Sequence, residues 1–160
     1  MKTAIAAPLW LALGVICGGA AAQGSKPEAP AAIACPADAR ELPLQALYGR
    51  WEARFDGLPG VATVQLSPHP DYAGVRGTIT RAGNGGTPPA STAQLAGDVD
   101  DEGALSIDES LDGRTISGVW SGTLQAGSCG REFRGTWRDA ADESTRPFVL
   151  SKIDGPEGKQ

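Results

Sequence analysis

Apolar and polar side chains alternate with a period of two along most of this chain. In YGRWEARF, one face carries Gly49, Trp51, Ala53 and Phe55, and the other face carries Arg50, Glu52 and Arg54. TISGVWSGTL and CGREFRGTWRD repeat the pattern, with Ile116, Gly118, Trp120, Gly122 and Leu124 predicted on one inner face and Phe133, Gly135 and Trp137 on another. Such alternation is typical of β-strands with one buried face, and no segment has a convincing helical period.

Further runs near 61–67, 73–81, 92–100, 104–111 and 147–153 bring the predicted number of strands to eight. Turn sequences separate the runs: DGLPG, SPHPD, AGNGGTPP, DDEG, LDGR, AGSC and ADESTRP. The short spacing leaves no room for crossover helices, so the strands should form an antiparallel meander. We therefore predict an all-β fold, an eight-stranded up-and-down β-barrel, with a β-sandwich as the alternative. LPLQAL, residues 42–47, is expected to form one helical turn before the first strand.

The first residues have the character of an export signal. Lys2 precedes an apolar run from Ala4 to Ile16, and Ala20-Ala21-Ala22 provide a small-residue cleavage site before Gln23. We expect residues 1–22 to be a signal peptide, which implies a periplasmic or secreted bacterial protein with no membrane span after cleavage. Lipidation of Cys17 and an uncleaved membrane anchor are the alternatives.

Composition divides the rest of the chain into three segments. Residues 23–43 begin with the Pro- and Ala-rich QGSKPEAPAAIA and are predicted to be a flexible arm that carries Cys35. Residues 44–153 should form the barrel, and residues 154–160 a disordered tail.

Two cysteines remain after signal cleavage, Cys35 and Cys129. In an oxidising compartment an isolated pair indicates one disulfide. Two free thiols are the alternative.

Acidic residues outnumber basic ones, and the net charge is −5 before Lys2 is lost with the signal. Without clustered lysine and arginine, the chain should bind neither nucleic acid nor anionic membrane surfaces. Acids concentrate between Asp98 and Asp112, while the outer faces of the first and seventh strands carry arginines: Arg50, Arg54, Arg134 and Arg138. This segregation would steer a partner or a second copy, or simply solvate the exterior.

The inventory of reactive side chains argues against an enzyme. His69 is the single histidine and lies in a proline-bracketed turn, no G-x-S-x-G elbow occurs, and zinc lacks a ligand set. The spacing of DVDDEGALSIDE, residues 98–109, resembles a calcium loop, but the alternation of Leu105 and Ile107 with polar residues favours a β-hairpin. We expect no metal and no cofactor.

Glycines recur beside tryptophans on the predicted inner faces, as in Gly49-x-Trp51, Gly118-x-Trp120 and Gly135-x-Trp137. With Gly77, Gly97 and Gly122, they would either let strands coil around bulky rings or leave a hollow. If they leave a hollow, it would form a ligand pocket lined by Trp51, Trp120, Trp137 and Phe133.

Glu109 is the one charged residue predicted among inward apolar side chains, with Leu105, Ile107 and Leu111. A buried carboxylate needs a partner, and Arg131 is the candidate on the Phe133–Trp137 face. The pair would then anchor a ligand. A frayed or bulged strand would instead leave Glu109 in solvent.

The Gly49-x-Trp51 strand after LPLQAL, followed by a meander, resembles the calycin barrels, that is, the lipocalins and avidins. The resemblance covers most of residues 47–153 in rhythm and implies a small, mostly apolar ligand in the barrel mouth. Avidins have Asn and Ser where this chain has Ala53 and Leu58, so biotin is not the expected ligand. Bacterial periplasmic metalloprotease inhibitors are also similar, and in them the N-terminal segment enters the protease.

These observations together predict an exported, non-enzymatic β-barrel that binds a small, mostly apolar ligand in its mouth. The alternative is an interaction or inhibitor module that binds an envelope protein through its N-terminal arm and loops.

Overall fold

The computed structural model of the protein describes residues 35–83 and 90–153. The predicted signal peptide at 1–22, the start of the arm at 23–34 and the tail at 154–160 lie outside these ranges.

The eight strands predicted from the alternation are all present in the described residues, and they close into an antiparallel barrel in which β8 pairs with β1. Their bounds are β1 Gly49–Phe55, β2 Ala62–Pro68, β3 Val75–Arg81, β4 Ser91–Val99, β5 Ala104–Ser110, β6 Gly118–Leu124, β7 Glu132–Asp139 and β8 Thr145–Lys152. Each strand pairs with the next one in sequence. The meander barrel is therefore confirmed over the sandwich, and the fold is compatible with a calycin-like one.

Residues 98–109 form a β-hairpin, as their alternation predicts. Asp98 of β4 lies opposite Ser106 of β5. In the turn between the strands, Asp100 Oδ1 accepts hydrogen bonds from the amides of Glu102, at 3.0 Å, and Ala104, at 2.8 Å. Asp100 thus shapes the turn. Within residues 35–83 and 90–153, no three His, Cys, Asp or Glu side chains are grouped closely enough to hold a metal ion.

The N-terminal segment closes one end of the barrel. It contains two 3-10 helices, Ala39–Glu41 and Leu44–Leu47, and the second confirms the predicted turn within residues 42–47. Trp51 Nε1 donates to the Leu47 carbonyl at 2.8 Å, and Lys152 Nζ donates to the Ala46 carbonyl while lying 5.3 Å from the Trp51 ring centre. We call this the closed end.

Cys35 and Cys129 form the predicted disulfide. It joins the N-terminal segment to the β6–β7 loop at the closed end. Of the helices that the described ranges contain, none has the length and apolar character needed to span a membrane.

Side chains fill the barrel interior. Trp51 and Phe133 are 0% exposed and Trp120 is 1% exposed, so no water-sized space adjoins them. The Trp120 ring packs edge-on against Phe55 and Phe148, with centroids 4.9 Å away in each case. The glycines of the inner faces could have let the strands coil around the bulky rings or left a hollow beside them, and the structure shows the packed arrangement.

Close approach of neighbouring strands explains Gly135. Gly135 of β7 lies opposite Gly122 of β6, and a Cβ on Gly135 would be 1.9 Å from the Ser121 carbonyl oxygen. The missing side chain therefore permits tight strand coiling and leaves no hollow.

Gly135→Ala is expected to lower the free energy of unfolding by roughly 1–3 kcal/mol, because the backbone of β6 must move away. Urea denaturation measures the change, and Thr136→Ala, on the solvent side of the same strand, is the matched control. Equal stability of the two variants would contradict the close-approach explanation.

The inward positions predicted for Leu111 and Ile116 are wrong. β5 ends at Ser110 and β6 begins at Gly118, so both residues lie in the connecting loop, where they are 61% and 46% exposed. The cause is Asp112, whose Oδ1 accepts from the amides of Arg114 and Thr115 at 2.8 and 2.7 Å and so bends the chain out of the ladder.

Candidate functional site

The end opposite the N-terminal segment, which we call the mouth, carries a depression of about 330 Å³. It lies where β3, β5, β7 and β8 meet their mouth loops. Apolar and charged residues both line it, among them Leu58, Arg81, Glu109, Leu111, Trp137 and Arg146.

Glu109 forms the centre of the floor and is 3% exposed. Arg81 holds it through two hydrogen bonds, Nη1 to Oε1 at 2.6 Å and Nη2 to Oε2 at 2.8 Å. Two indole N–H groups also bind the Glu109 carboxylate: Trp120 Nε1 and Trp137 Nε1 donate to its Oε2 at 3.1 and 3.2 Å. We call these four residues the Glu109 cluster. With four donors on one carboxylate, the charge is both paired and hydrogen-bonded, which is the condition for burying it.

A glycine makes this geometry possible. Gly118 lies opposite Glu109 in the β5–β6 pair, and a Cβ at Gly118 would be 2.4 Å from Trp137 Nε1. The Trp137 ring therefore occupies the space that a side chain at 118 would take. The predicted pairing of small and large residues is present here, but the glycine and the ring belong to adjacent strands.

The partner of Glu109 is Arg81, and the prediction of Arg131 was wrong. Arg131 is exposed in the β6–β7 loop at the closed end, where Nη2 donates to the Lys152 carbonyl at 3.5 Å. Arg81 is the last residue of β3 and shares its inward face with Ile79. Its guanidinium also lies 5.1 Å from the Phe55 ring centre and 5.8 Å from that of Trp137. The alternation of 73–81 already placed Arg81 inward, so this signal was present in the sequence.

The six residues predicted to bind a ligand fall into three places. Glu109, Trp120 and Trp137 meet in the Glu109 cluster, where Trp137 lines the depression. Trp51 and Phe133 pack against each other with centroids 6.0 Å apart, within the core towards the closed end. Arg131 lies outside the barrel interior. The sequence analysis did not identify Arg81, Arg146 or the exposed Leu111 as mouth residues.

Hydrogen bonds to backbone amides fix the loops that border the depression. The amides of Thr115 and Arg114 hold the pKa of Asp112 down to about 2. In the β7–β8 turn, hydrogen bonds from Ser144 lower the pKa of Asp142. Asp112 and Asp142 therefore stay negatively charged at neutral and mildly acidic pH, and their hydrogen bonds keep the two loops ordered over that pH range.

The Asp112 loop should loosen only in strong acid. A depressed pKa in the folded protein means that the carboxylate stabilises the fold above its unfolded pKa of 3.8 and that this contribution disappears as the pH falls towards 2. An NMR titration of the Asp112 carboxyl should therefore have its midpoint at about 2, with the amide resonances of Arg114 and Thr115 following it. Asp112→Asn should remove this low-pH transition. A midpoint near 3.8 would contradict the capping role.

The closed end has a second concave surface, a groove of about 420 Å³ between the N-terminal segment and the β4–β5 turn. Leu42, Leu44 and Val99 contribute its apolar part. Asp38 and Arg40 form an ion pair beside it at 3.0 Å, and the Arg40 side chain lowers the pKa of Asp38.

His69 lies in the β2–β3 loop, at the end of the barrel away from the Glu109 cluster. Its Nδ1 accepts from the Asp71 amide at 3.3 Å, and its ring stacks on Tyr72 with centroids 3.9 Å apart. These contacts give His69 a role in holding its own turn.

In comparisons of the sequence with protein-family models and with curated proteins, nothing matches the chain.

Proposed function

We propose that this protein is an exported, periplasmic or secreted, non-enzymatic β-barrel that binds a small, mostly apolar ligand at its mouth. One observation carries the proposal: an exposed leucine and a half-buried tryptophan line a depression whose charged residue Glu109 is fully hydrogen-bonded. Leu111 is 61% exposed at this rim, and the partly buried Trp137 forms part of the floor.

Binding at the rim follows from the packed core. Because aromatic rings fill the space beneath the Glu109 cluster, a ligand would rest on Trp137 and against Leu111 and Leu58 and would not enter the barrel axis. The volume of about 330 Å³ is within the range of small-molecule sites, which begins at roughly 300 Å³. Covering an exposed leucine contributes about 1.5–3 kcal/mol, which corresponds to a gain in affinity of roughly ten- to hundred-fold.

Export and the calycin-like barrel support the same function. The disulfide fits an oxidising compartment, as expected downstream of a signal peptide. The resemblance to lipocalins and avidins, which bind ligands at the barrel mouth, agrees with the position of the depression.

The test is a fluorescence titration with the neutral apolar probe N-phenyl-1-naphthylamine. Binding at the mouth should quench Trp137 emission and raise probe emission, and Leu111→Ser should weaken affinity about ten-fold. Ile116→Ser is the matched control, because Ile116 is exposed on the same loop and does not line the depression. Absence of saturable binding, or equal affinity of the two variants, would overturn the proposal.

A second candidate function, interaction with an envelope protein, rests on the groove at the closed end. Its apolar residues, Leu42 and Leu44, belong to the segment that continues the N-terminal arm. Removing residues 23–34 should abolish capture of a protein partner from an envelope extract while leaving probe binding at the mouth unchanged. If removal of residues 23–34 changes neither the capture of a protein partner nor probe binding at the mouth, the arm is not an interaction element.

A further inference from the structure

Two basic residues line the mouth depression in the part of the chain that the structure describes, Arg81 and Arg146, and Arg146 is the one outside the Glu109 cluster. It follows the inward register of β8, sharing a face with Phe148 and Leu150, and lies directly opposite Trp137 of β7. The side chain is partly buried at the depression. Within residues 35–83 and 90–153, its guanidinium makes no hydrogen bond, and its charge acts on Asp142, whose pKa it helps to lower.

The other charged groups of the depression already have protein partners. Glu109 accepts four hydrogen bonds from the cluster. Asp139 accepts from the Ala141 amide at 2.7 Å, and Asp142 accepts from the Ser144 amide at 2.9 Å. Arg81 uses two of its donors on Glu109.

Among the charged side chains that the structure describes in the depression, Arg146 is therefore the one without a hydrogen bond to the protein. Arginine is seldom withdrawn from water without a partner, and its planar fork binds carboxylate, sulfonate or phosphate groups through two parallel hydrogen bonds. Arg146 and Trp137 are cross-strand partners and both line the depression, and Arg146 Nη1 lies beside the β1–β2 loop, 3.7 Å from where a Cβ on Gly57 would be.

We propose, on the basis of the proposed function, that the ligand of the mouth is an anionic amphiphile. Its anionic oxygens bind Arg146, and its apolar body covers Trp137 and Leu111. Asp139 and Asp142 flank the site with negative charge, so recognition depends on direct hydrogen bonds to Arg146 and not on a positive field.

Two probes that share one apolar body test this inference. 8-Anilinonaphthalene-1-sulfonate carries an anionic group, and N-phenyl-1-naphthylamine is the same body without it. In the protein comprising residues 23–160, the sulfonate should bind about ten-fold more tightly than the neutral probe, as expected for a charge-assisted hydrogen bond. Arg146→Gln should remove that difference and change the affinity for the neutral probe less than about two-fold.

Arg138→Gln is the control for general loss of positive charge, because Arg138 lies on the outer face of β7 and pairs there with Glu143. Circular dichroism and thermal melting check that each variant remains folded. Equal affinities of the two probes, tighter binding of a cationic analogue, or an unchanged sulfonate affinity in Arg146→Gln would overturn the anionic assignment. The proposed function would still stand if the neutral probe bound and responded to Leu111→Ser, and it would fail if that probe did not bind.

Discussion

Glu109→Ala is expected to lower the free energy of unfolding by about 3–5 kcal/mol, measured by urea denaturation. The substitution leaves the Arg81 guanidinium, whose side chain is 18% exposed, without its anion. It also removes the acceptor of two indole N–H groups, one of them on the buried Trp120. Each unsatisfied buried donor adds to the cost, because no water reaches it.

Two further variants separate charge pairing from packing. Glu109→Gln keeps one carbonyl acceptor and should be intermediate in stability. The double variant Arg81→Met with Glu109→Leu removes both charges and should recover most of the loss, since an apolar pair needs no partners.

Glu132→Ala is the matched control for Glu109→Ala. Glu132 also pairs with an arginine, Arg134 at 2.7 Å, but on the outer face of the barrel. Exposed ion pairs contribute at most about 1 kcal/mol. If Glu109→Ala costs no more than Glu132→Ala, the Glu109 cluster does not stabilise the mouth.

Removal of the disulfide should have the next largest effect. The bond joins residues separated by 94 positions, and closing a loop of this length restricts the unfolded chain by up to ~4–5 kcal/mol. The variant Cys35→Ser with Cys129→Ser should therefore lose several kcal/mol in denaturant unfolding, and reduction of the wild-type protein should have the same effect.

The loss of stability on removing the disulfide should begin at the closed end. The disulfide holds the N-terminal segment over the closed end, so hydrogen exchange should accelerate at Ala39–Glu41 before it does in the mouth strands. A variant as stable as the wild type, or one in which the mouth loses protection first, would contradict this role.

The alternation was sufficient to predict the barrel. In β1 every second side chain from Trp51 to Phe55 is buried, as in the YGRWEARF pattern, because a packed interior and a solvated exterior impose one period on every strand. Short turns then leave the antiparallel meander as the way to connect eight such strands. The disulfide was predicted from the cysteine count, since Cys35 and Cys129 are the two cysteines that remain if residues 1–22 are a cleaved signal peptide.

The alternation along single strands could not predict which residue pairs with Glu109. Arg81 lies on β3 and Glu109 on β5, with β4 between them, so the two residues are not cross-strand neighbours. Such contacts depend on the stagger of strands around the barrel, which sequence periodicity does not determine. Trp51 lies two residues after the start of β1, towards the closed end, and Trp137 lies two residues before the end of β7, at the mouth, although both follow a Gly-x-Trp pattern.

Leu111 and Ile116 were misplaced for a different reason. The period of two was extended through LDGR, yet Asp112 accepts two backbone amides there and ends the strand at Ser110. A short acidic residue followed by glycine is a turn signal that outweighs an apolar neighbour. The error concealed Leu111, the most exposed of the large apolar side chains that the structure describes at the mouth.

Chemical-shift mapping of the protein with N-phenyl-1-naphthylamine tests most directly whether a filled barrel binds its ligand at the mouth. Saturating probe is expected to shift the indole N–H of Trp137 and the backbone amides of Leu58 and Leu111, while the indole N–H of Trp51 stays unchanged. Shifts centred on Trp51 and Phe133, or confined to the groove beside Leu42 and Leu44, would contradict it.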